Sequence, residues 1–472
     1  MAVAVADLYC RFGALGRSPI GSRVRFPVSY SGDSRVLVDA NGQPFPVQGR
    51  ALWALVGISA ADRATQLSDA YSKGFNAIEV AIPWRHSSGV NVPFDGNGDV
   101  PFSKRLDGGS YTGSLTYSNI NNEAPDFTQP NETYWLFVDA LLNDALANGI
   151  LAFLFPAYCG YNGGTQGWMA EMRANGATKM TTYGAWIATR YKSQKNIVWM
   201  IAGDYGCGTT PFTGSDQSIV QALLDGLTSV GGQQSVLISA EGGTPCIATD
   251  LPGTLGSTIS LNGAYSYEGE TASKGRGTYS HGGIPGYLLE EPYDEEGPDG
   301  QNTNPASTQP VRRYVYWGWL GGIGGYIAGN CYIWQMQSGW QSHLSTQAQL
   351  DLQRQNAFMR ALPWHYLVPQ GLGSMGTIVT AGGGTIDSSD YVAAAATVDG
   401  ARLVAYVPPG HTGSITIDMT KMRGATRSRW WDPTNATYTA DATGLSNAGT
   451  HAFTTPGNNS AGDADWLLML DA

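Results

Sequence analysis

The chain has 472 residues, of which 42% are hydrophobic and only 14% charged, with a net charge of −11. That length and apolar content exclude a disordered chain and predict more than one domain. The acidic balance and seven scattered lysines exclude a basic nucleic-acid surface and a polybasic membrane anchor, and no apolar run reaches the ~18 residues of a membrane helix.

Residues 1–45 are expected to form an extension that ends in a hairpin, with Ser34 to Asp39 and Pro44 to Val47 joined by an Asn41-Gly42 turn. Met1 to Leu8 is apolar but lacks a basic flank, so it does not read as a complete secretion signal.

From residue 46 to 370 short β-rich runs alternate with helical patterns, as in a parallel sheet built from βα units. The predicted strands are Pro46 to Leu52, Ala77 to Ile82, Ile150 to Phe155, Asn196 to Ala202, Ser235 to Ser239 running on to Glu241, Ile259 to Tyr267, Gly286 to Glu291, and Gly325 to Ala328. Helices are predicted from a Ser59 cap to Gly74, from Tyr134 to Asn148, around Thr182 to Lys192, from Ser218 to Val230 and from Val311 to Leu320. A long polar loop, Trp84 to Thr133, follows the second strand. Eight strands with intervening helices predict a (β/α)₈ TIM barrel. A doubly wound sheet should show a Gly-rich phosphate turn after its first strand, and Gly49 to Trp53 is not one.

Residues 371–472 change character. Short strands at Tyr391 to Thr397, Ala401 to Val407, Ser414 to Met419, Ser428 to Trp431 and Trp466 to Asp471, with Gly-, Pro- and Asn-rich turns, predict a C-terminal β-sandwich.

In such a barrel the chemistry sits at the C-terminal ends of the strands. The candidates there are Arg50, Trp84, Tyr158, Asp204, Glu241, Tyr265, Tyr267, Glu290, Glu291, Asn330 and Trp334. Two carboxyls on opposite strands, with aromatics between them, are what glycoside hydrolysis needs: one protonates the leaving oxygen and the other attacks the anomeric carbon or activates water. Asp204 ends the fourth strand. At the seventh, successive residues point to opposite faces, so only one of Glu290 and Glu291 can face the mouth. Glu291 is favoured because Pro292 holds its backbone extended.

Trp334 is the first choice for a sugar-stacking wall. The six histidines form no HxxxH or HxH pair and no CxxC occurs, so no metal or other cofactor is expected. A GxSxG elbow is also missing, against a serine esterase. Cys207 with Cys246 is one candidate disulfide, and an odd cysteine count of five leaves a free thiol.

These segments, taken together, resemble the apiosidase-like glycoside hydrolases, a (β/α)₈ family often followed by a collagen-binding-type β-sandwich domain. The matching stretches are Leu37 to Phe45, Gly74-Phe75-Asn76, Pro130 to Trp135 with Val138-Asp139, Asn196 to Trp199 with Gly203-Asp204, Glu291-Pro292-Tyr293, Gly324 to Tyr326 through Gly329-Asn330 to Ile333-Trp334, Trp431-Asp432-Pro433 and Asp465 to Leu468. The resemblance implies a retaining glycosidase, exo- or endo-acting, with Asp204 as acid/base and Glu291 as nucleophile. Two positions depart from relatives, which tend to have Asp where Arg50 stands and His where Glu241 stands. An Arg at the pocket floor hints at an acidic sugar, unless it pairs with Glu241. The expected partner is a polysaccharide or oligosaccharide, the expected location extracellular or periplasmic. The competing reading is a non-catalytic glycan-binding or surface-adhesion protein on the same fold.

Overall fold

A computed structural model describes residues 25–86, 90–111, 124–233, 237–267, 270–296 and 309–472. Most of the predicted N-terminal extension, Cys10, and Ser235 and Val236 of the expected fifth strand lie outside the described residues.

Three two-residue strands, β1 (Ser29–Tyr30), β2 (Leu37–Val38) and β3 (Pro44–Phe45), form a small antiparallel sheet. Asp39 organises the β2–β3 turn, its Oδ1 accepting from Asn41 N and Gln43 N.

The next nine strands make one sheet: β4 (Val47–Ala51), β5 (Ala77–Ala81), β6 (Leu151–Phe155), β7 (Ile197–Ala202), β8 (Ile238–Glu241), β9 (Cys246–Ile247), β10 (Asn262–Tyr265), β11 (Gly286–Glu290) and β12 (Gly325–Ala328). Their order is β8-β7-β6-β5-β4-β12-β11-β10-β9, and every pairing is parallel except that of β9. The sheet curls into a TIM-like barrel whose last gap is bridged by Ser260 N and Leu261 N donating to Ile238 O. Around it lie α1 (Ala60–Ser72), α2 (Glu132–Ala147), α3 (Met169–Arg190), α4 (Asp216–Thr228), α5 (Thr254–Thr258), α6 (Thr271–His281), α7 (Gln309–Leu320), α8 (Cys331–Trp334) and α9 (Gln347–Arg360). Ser59 caps α1 as expected, accepting from Asp62 N. The third helix begins earlier than its pattern predicts, because Gly176, at φ 73°, joins a preceding helical turn to it.

Register carries the alternation around the barrel. Ala51 pairs with Glu79, Glu79 with Phe153, Phe153 with Val198, Met200 with Ser239 and Ala202 with Glu241. This set faces the lumen: Phe153 packs 5.0 Å from the Tyr287 ring, and the Tyr287 hydroxyl meets Ser239 Oγ at 2.9 Å from across the barrel. The alternate set, Gln48, Arg50 and Tyr326, faces the helices. Gln48 Nε2 donates to Asn356 O and Tyr326 Oη to Asn356 Oδ1, both on α9.

One slip interrupts this order. Ala264 pairs with Leu288, but the next residue, Tyr265, pairs with Glu290. Such a bulge reverses the faces of the residues that follow it.

Beyond the barrel come β13 (Leu367–Pro369), β14 (Val379–Ala381), β15 (Ala393–Thr397), β16 (Arg402–Val407), β17 (Ser414–Asp418), β18 (Thr426–Asp432), β19 (Thr437–Leu445), β20 (Thr450–Thr454) and β21 (Trp466–Asp471). They form a six-stranded sheet, β13-β15-β16-β21-β18-β19, and a three-stranded one, β14-β17-β20. One face of the larger sheet packs on the smaller through Val392, Leu403, Ile417 and Leu468. The other face packs on the barrel helices: Tyr406 stacks on Tyr316 at 5.0 Å, Trp431 on Phe358 at 4.7 Å, and Trp317 Nε1 donates to Tyr391 O. Buried Arg312 of α7 ties the two together, bonding Asp351 of α9, Asp463 and Asp465.

Candidate active site

Asp204 follows β7 on a backbone that turns sharply. Ala202, Gly203 and Asp204 have φ of 65°, 109° and 54°, three successive residues in a region that costs an L-residue about 1–2 kcal/mol. Only glycine fits the middle position, because a Cβ on Gly203 would lie 2.3 Å from Tyr158 Cδ2. Tight backbone bonds over-determine the turn: Gly203 N donates to Glu241 O, and Cys159 N to Ala202 O. The Asp204 carboxyl is thereby held over the barrel mouth, where Tyr158 Oη donates to Oδ2 and Tyr265 Oη to Oδ1, each at 2.5 Å.

The second carboxyl of this constellation is Glu290. Its Oε2 accepts from Tyr293 Oη at 2.8 Å, and its Oε1 from Tyr267 Oη at 3.0 Å and from Tyr265 Oη at 3.4 Å. One phenol therefore touches both carboxyls. Its contacts of 2.5 and 3.4 Å limit the Asp204 Oδ1 to Glu290 Oε1 separation to about 5.9 Å.

Glu291 is placed differently. It is 0% exposed and neither of its oxygens meets a donor; burial, and then the charges of Glu290 and Glu296, drive it well above the carboxylate range. Strict alternation from lumen-facing Tyr287 would turn Glu291 inward, but the bulge between Leu288 and Glu290 turns Glu290 beside Tyr265 instead. Backbone extension at Pro292 says nothing about that slip.

Two further carboxyls lie in the lumen. Glu241 ends β8 opposite Ala202, and Glu79 sits mid-strand in β5; both are fully buried with all four oxygens lacking donors. Glu296 accepts from Tyr293 N at 3.0 Å and from Tyr267 Oη at 3.4 Å. Among the described residues no ion pair reaches Asp204, Glu290, Glu241 or Glu79, so burial and mutual repulsion push the whole group upward. Glu290 rises to about 8, from burial and then the Asp204 charge, and Glu296 to about 7, chiefly from burial. Glu79 and Glu241 are driven well above the carboxylate range by burial and by their neighbours' charges. Asp204 is raised less decisively, because its two phenol donors favour the ionised form against burial.

An aromatic wall flanks the carboxyls. Trp84 stacks on His86 at 5.6 Å, and the Trp334 ring stands edge-on to both, 6.3 Å from Trp84 and 5.3 Å from His86. Trp53 continues the wall to Tyr158, 5.3 Å away, and its Nε1 donates to Tyr293 Oη. The Trp84 Nε1 is buried without an acceptor, whereas the Trp334 indole lies within hydrogen-bonding reach of Glu296. Burial lowers His86 to about 4, so its ring is neutral.

Two expected ligand contacts are excluded by position. Arg50 stands on the helix side of β4, fully buried over the Phe75 ring at 4.5 Å and paired with Asp69 of α1 at 2.7 Å. It reaches neither the lumen nor Glu241. Asn330 caps α8, its Oδ1 accepting from Tyr332 N and Ile333 N and its Nδ2 donating to Asp294 and Glu295; none of its polar capacity is left for a sugar.

Sequence reasoning passed over Glu79, Tyr293, Glu296 and Trp53. Glu79 had a signal, as the lone charge in the apolar run Ala77 to Ile82. The Cys207–Cys246 disulfide, with a Cα separation of 6.1 Å, ties the loop after β7 to β9, while Cys159 is a buried free thiol.

Residues 31–366 match the family described as "Apiosidase-like, catalytic domain", and residues 381–471 that described as "Putative collagen-binding domain of a collagenase". No curated protein matches the chain. Among solved structures it is similar to a glycoside hydrolase family 5 protein from Bacteroides vulgatus ATCC 8482, at 17% identity and a TM-score of 0.71 over 95% of each chain. A second, described as a glycoside hydrolase, matches at 18% identity and a TM-score of 0.70 over 94% of this chain and 97% of its own.

Proposed function

Because the chain belongs to the apiosidase-like catalytic-domain family and is thereby a glycosidase, we propose that it cleaves O-glycosidic bonds by double displacement, with Asp204 as general acid/base and Glu290 as nucleophile. The observation that carries this reading is the shared Tyr265 hydroxyl, which limits the nearest carboxyl oxygens to about 5.9 Å. Retaining enzymes hold their carboxyls ~5–5.5 Å apart, whereas inverting ones need ~6.5–9.5 Å to admit a water.

In the first step Glu290 attacks the anomeric carbon while Asp204 gives its proton to the leaving oxygen. In the second a water attacks the glycosyl–Glu290 ester, Asp204 takes the water's proton, and both carboxyls return to their starting state. Two phenols favour charge on Asp204 against its burial, and burial together with that charge holds the proton on Glu290. Positive charge developing on the sugar ring draws negative charge to Glu290, and the proton passes to Asp204, beside the leaving oxygen.

The site also narrows the substrate. With Arg50 outside the lumen, the carboxyls of the cleft meet no cation among the described residues, so an acidic sugar at the cleavage point would face only like charge. A neutral sugar, furanose or pyranose, laid on the Trp84–Trp334 wall suits the donors and acceptors present. The Cys207–Cys246 disulfide supports an oxidising, extracytosolic location. We read residues 371–472 as a unit that braces the barrel through α7 and α9.

The test is incubation with arabinan, arabinogalactan, xylan and polygalacturonate, scoring new reducing ends and following the product anomer by NMR. Release of the retained anomer from a neutral glycan is expected; first formation of the inverted anomer would overturn the double displacement.

A further inference from the structure

The end of the barrel opposite the carboxyls carries a cavity of about 220 Å³. It lies where three parts of the chain meet. Asp33 and Arg35 come from the small N-terminal sheet, Trp319, Trp364 and Tyr366 from the barrel's helical layer, and Val398 from the turn between β15 and β16. Gly322 and Ile323, which precede β12, line it as well, fixing it at the N-terminal mouth, the far side of the barrel from Asp204.

Its chemistry is not that of a core void. Trp319 is 3% exposed, yet its Nε1 has no acceptor, and the neighbouring His365 Nδ1 is buried without a partner. Buried donors and acceptors are almost always satisfied, so unpaired ones lining a cavity mark groups that a ligand or water completes. Burial lowers His365 below its ordinary value, which keeps the ring neutral, able to give and take one hydrogen bond. Beside it stands Tyr366, a large aromatic left 64% exposed, with its ring 4.1 Å from that of His365. The rim adds the Asp33 carboxylate and the Arg35 guanidinium, which is held 4.2 Å over the Tyr279 ring and donates to Tyr279 O.

From this arrangement we propose a second, non-catalytic carbohydrate site at the N-terminal mouth, in which one sugar ring of a glycan chain stacks on Tyr366 while Trp319 Nε1, His365 Nδ1 and the Asp33–Arg35 rim hydrogen-bond its hydroxyls. An exposed aromatic face beside mixed, neutral donors and acceptors matches a sugar, which presents C–H groups on its faces and hydroxyls around its edge. The cavity is smaller than the ~300–1,000 Å³ of drug-sized ligands and so takes one ring, leaving the rest of the chain in solvent. The proposal rests on the glycosidase reading only for the class of ligand. Its role is to hold a polymer against the enzyme while the opposite mouth cuts.

The experiment is retardation of the full-length protein in native gels containing arabinan, arabinogalactan, xylan or polygalacturonate, run beside reducing-end assays on the same polymers and on short oligosaccharides cut from them. Tyr366→Ala, at an exposed position, and Val398→Arg, which obstructs the rim, should each weaken retention by about tenfold while hydrolysis of the short oligosaccharides stays at the wild-type rate. Retention unchanged in both variants, or an enzyme that hydrolyses a polymer but is retarded by none, would overturn the second site and leave the proposed activity standing. Retention that depends on Tyr366 without any hydrolysis supports the site and counts against the glycosidase mechanism.

Discussion

Exchanging Glu290 and Glu291 in turn for glutamine separates the two readings of strand β11 and tests the mechanism at its nucleophile. Glutamine keeps the shape of the side chain and one acceptor oxygen for either the Tyr267 or the Tyr293 hydroxyl, while the attacking carboxylate is lost. Removing a nucleophile costs about 10⁴- to 10⁶-fold in rate, or ~5 to 8 kcal/mol of barrier. Glu291→Gln predicts the opposite. The wild-type carboxyl is fully buried without a donor, so the neutral amide removes no satisfied contact and relieves a buried acid; turnover within a few-fold of wild type and an unchanged or higher melting temperature are expected. The assay is kcat/KM from reducing-end release on whichever glycan the wild type cleaves, with folding checked by circular dichroism. Azide adds a check on roles: in Glu290→Ala it should restore turnover and yield a glycosyl azide of inverted configuration, since the anion takes the place of the nucleophile. A dead Glu291→Gln beside an active Glu290→Gln would refute the bulge argument.

Tyr265→Phe removes the hydroxyl common to both carboxyls; the donor favours ionised Asp204, so its loss should move the limb of the pH–rate profile that reports Asp204 upward by about 1–2 pH units, and an unmoved profile would count against the geometry. Gly203→Ala drives a Cβ to 2.3 Å from the Tyr158 ring at φ 109° and should lose about 2–4 kcal/mol in chemical denaturation, with activity falling more steeply than stability. Arg312→Ala leaves buried Asp465 without a cation and Asp351 with Arg354 alone and should cost about 3–5 kcal/mol by the same measurement. Burial raises Glu290 to about 8, Glu296 to about 7 and Asp294 to about 6. The folded state thus binds more protons than the unfolded one, whose carboxyls titrate near ~4, and stability should decline as pH rises from about 4.5 to 8. Melting temperatures that are flat or climb across that window would contradict the unpaired carboxyl cluster.

Much of the architecture was legible because barrel strands buried on both faces are continuous apolar runs, such as Ile197 to Ala202, with helices whose stops are visible, such as Gly149 after α2. The helix α9 escaped notice for a physical reason: its inward face mixes Leu352, Phe358 and Met359 with buried Gln349, Asp351, Gln355 and Asn356, so its apolar stripe is broken. The strands β19 and β20 were missed similarly, being rich in threonine and turn residues. At the site, strand ends alone brought forward Asp204, Tyr158 and Tyr265, which the structure places in contact. Arg50 misled because proximity to a strand end does not reveal its face; one residue of parity sends it to Asp69 and not to the lumen. Asn330 misled because a helix cap and a ligand contact present the same residue type. Which of Glu290 and Glu291 stands beside Tyr265 was beyond the sequence, since a bulge leaves no trace in the strand that carries it.

The six-stranded sheet has no face to spare. One side is shared with β14, β17 and β20, and the other is closed by Tyr316, Trp317 and Phe358 of the barrel helices. A unit so enclosed cannot be traded between enzymes the way linker-tethered binding modules are: cut loose after Pro369, it would expose an apolar sheet and leave a matching bald patch on the barrel. Over evolutionary time the two halves are therefore bound to change together, and a substitution in α7 or α9 has to be answered in β16, β18 or β21.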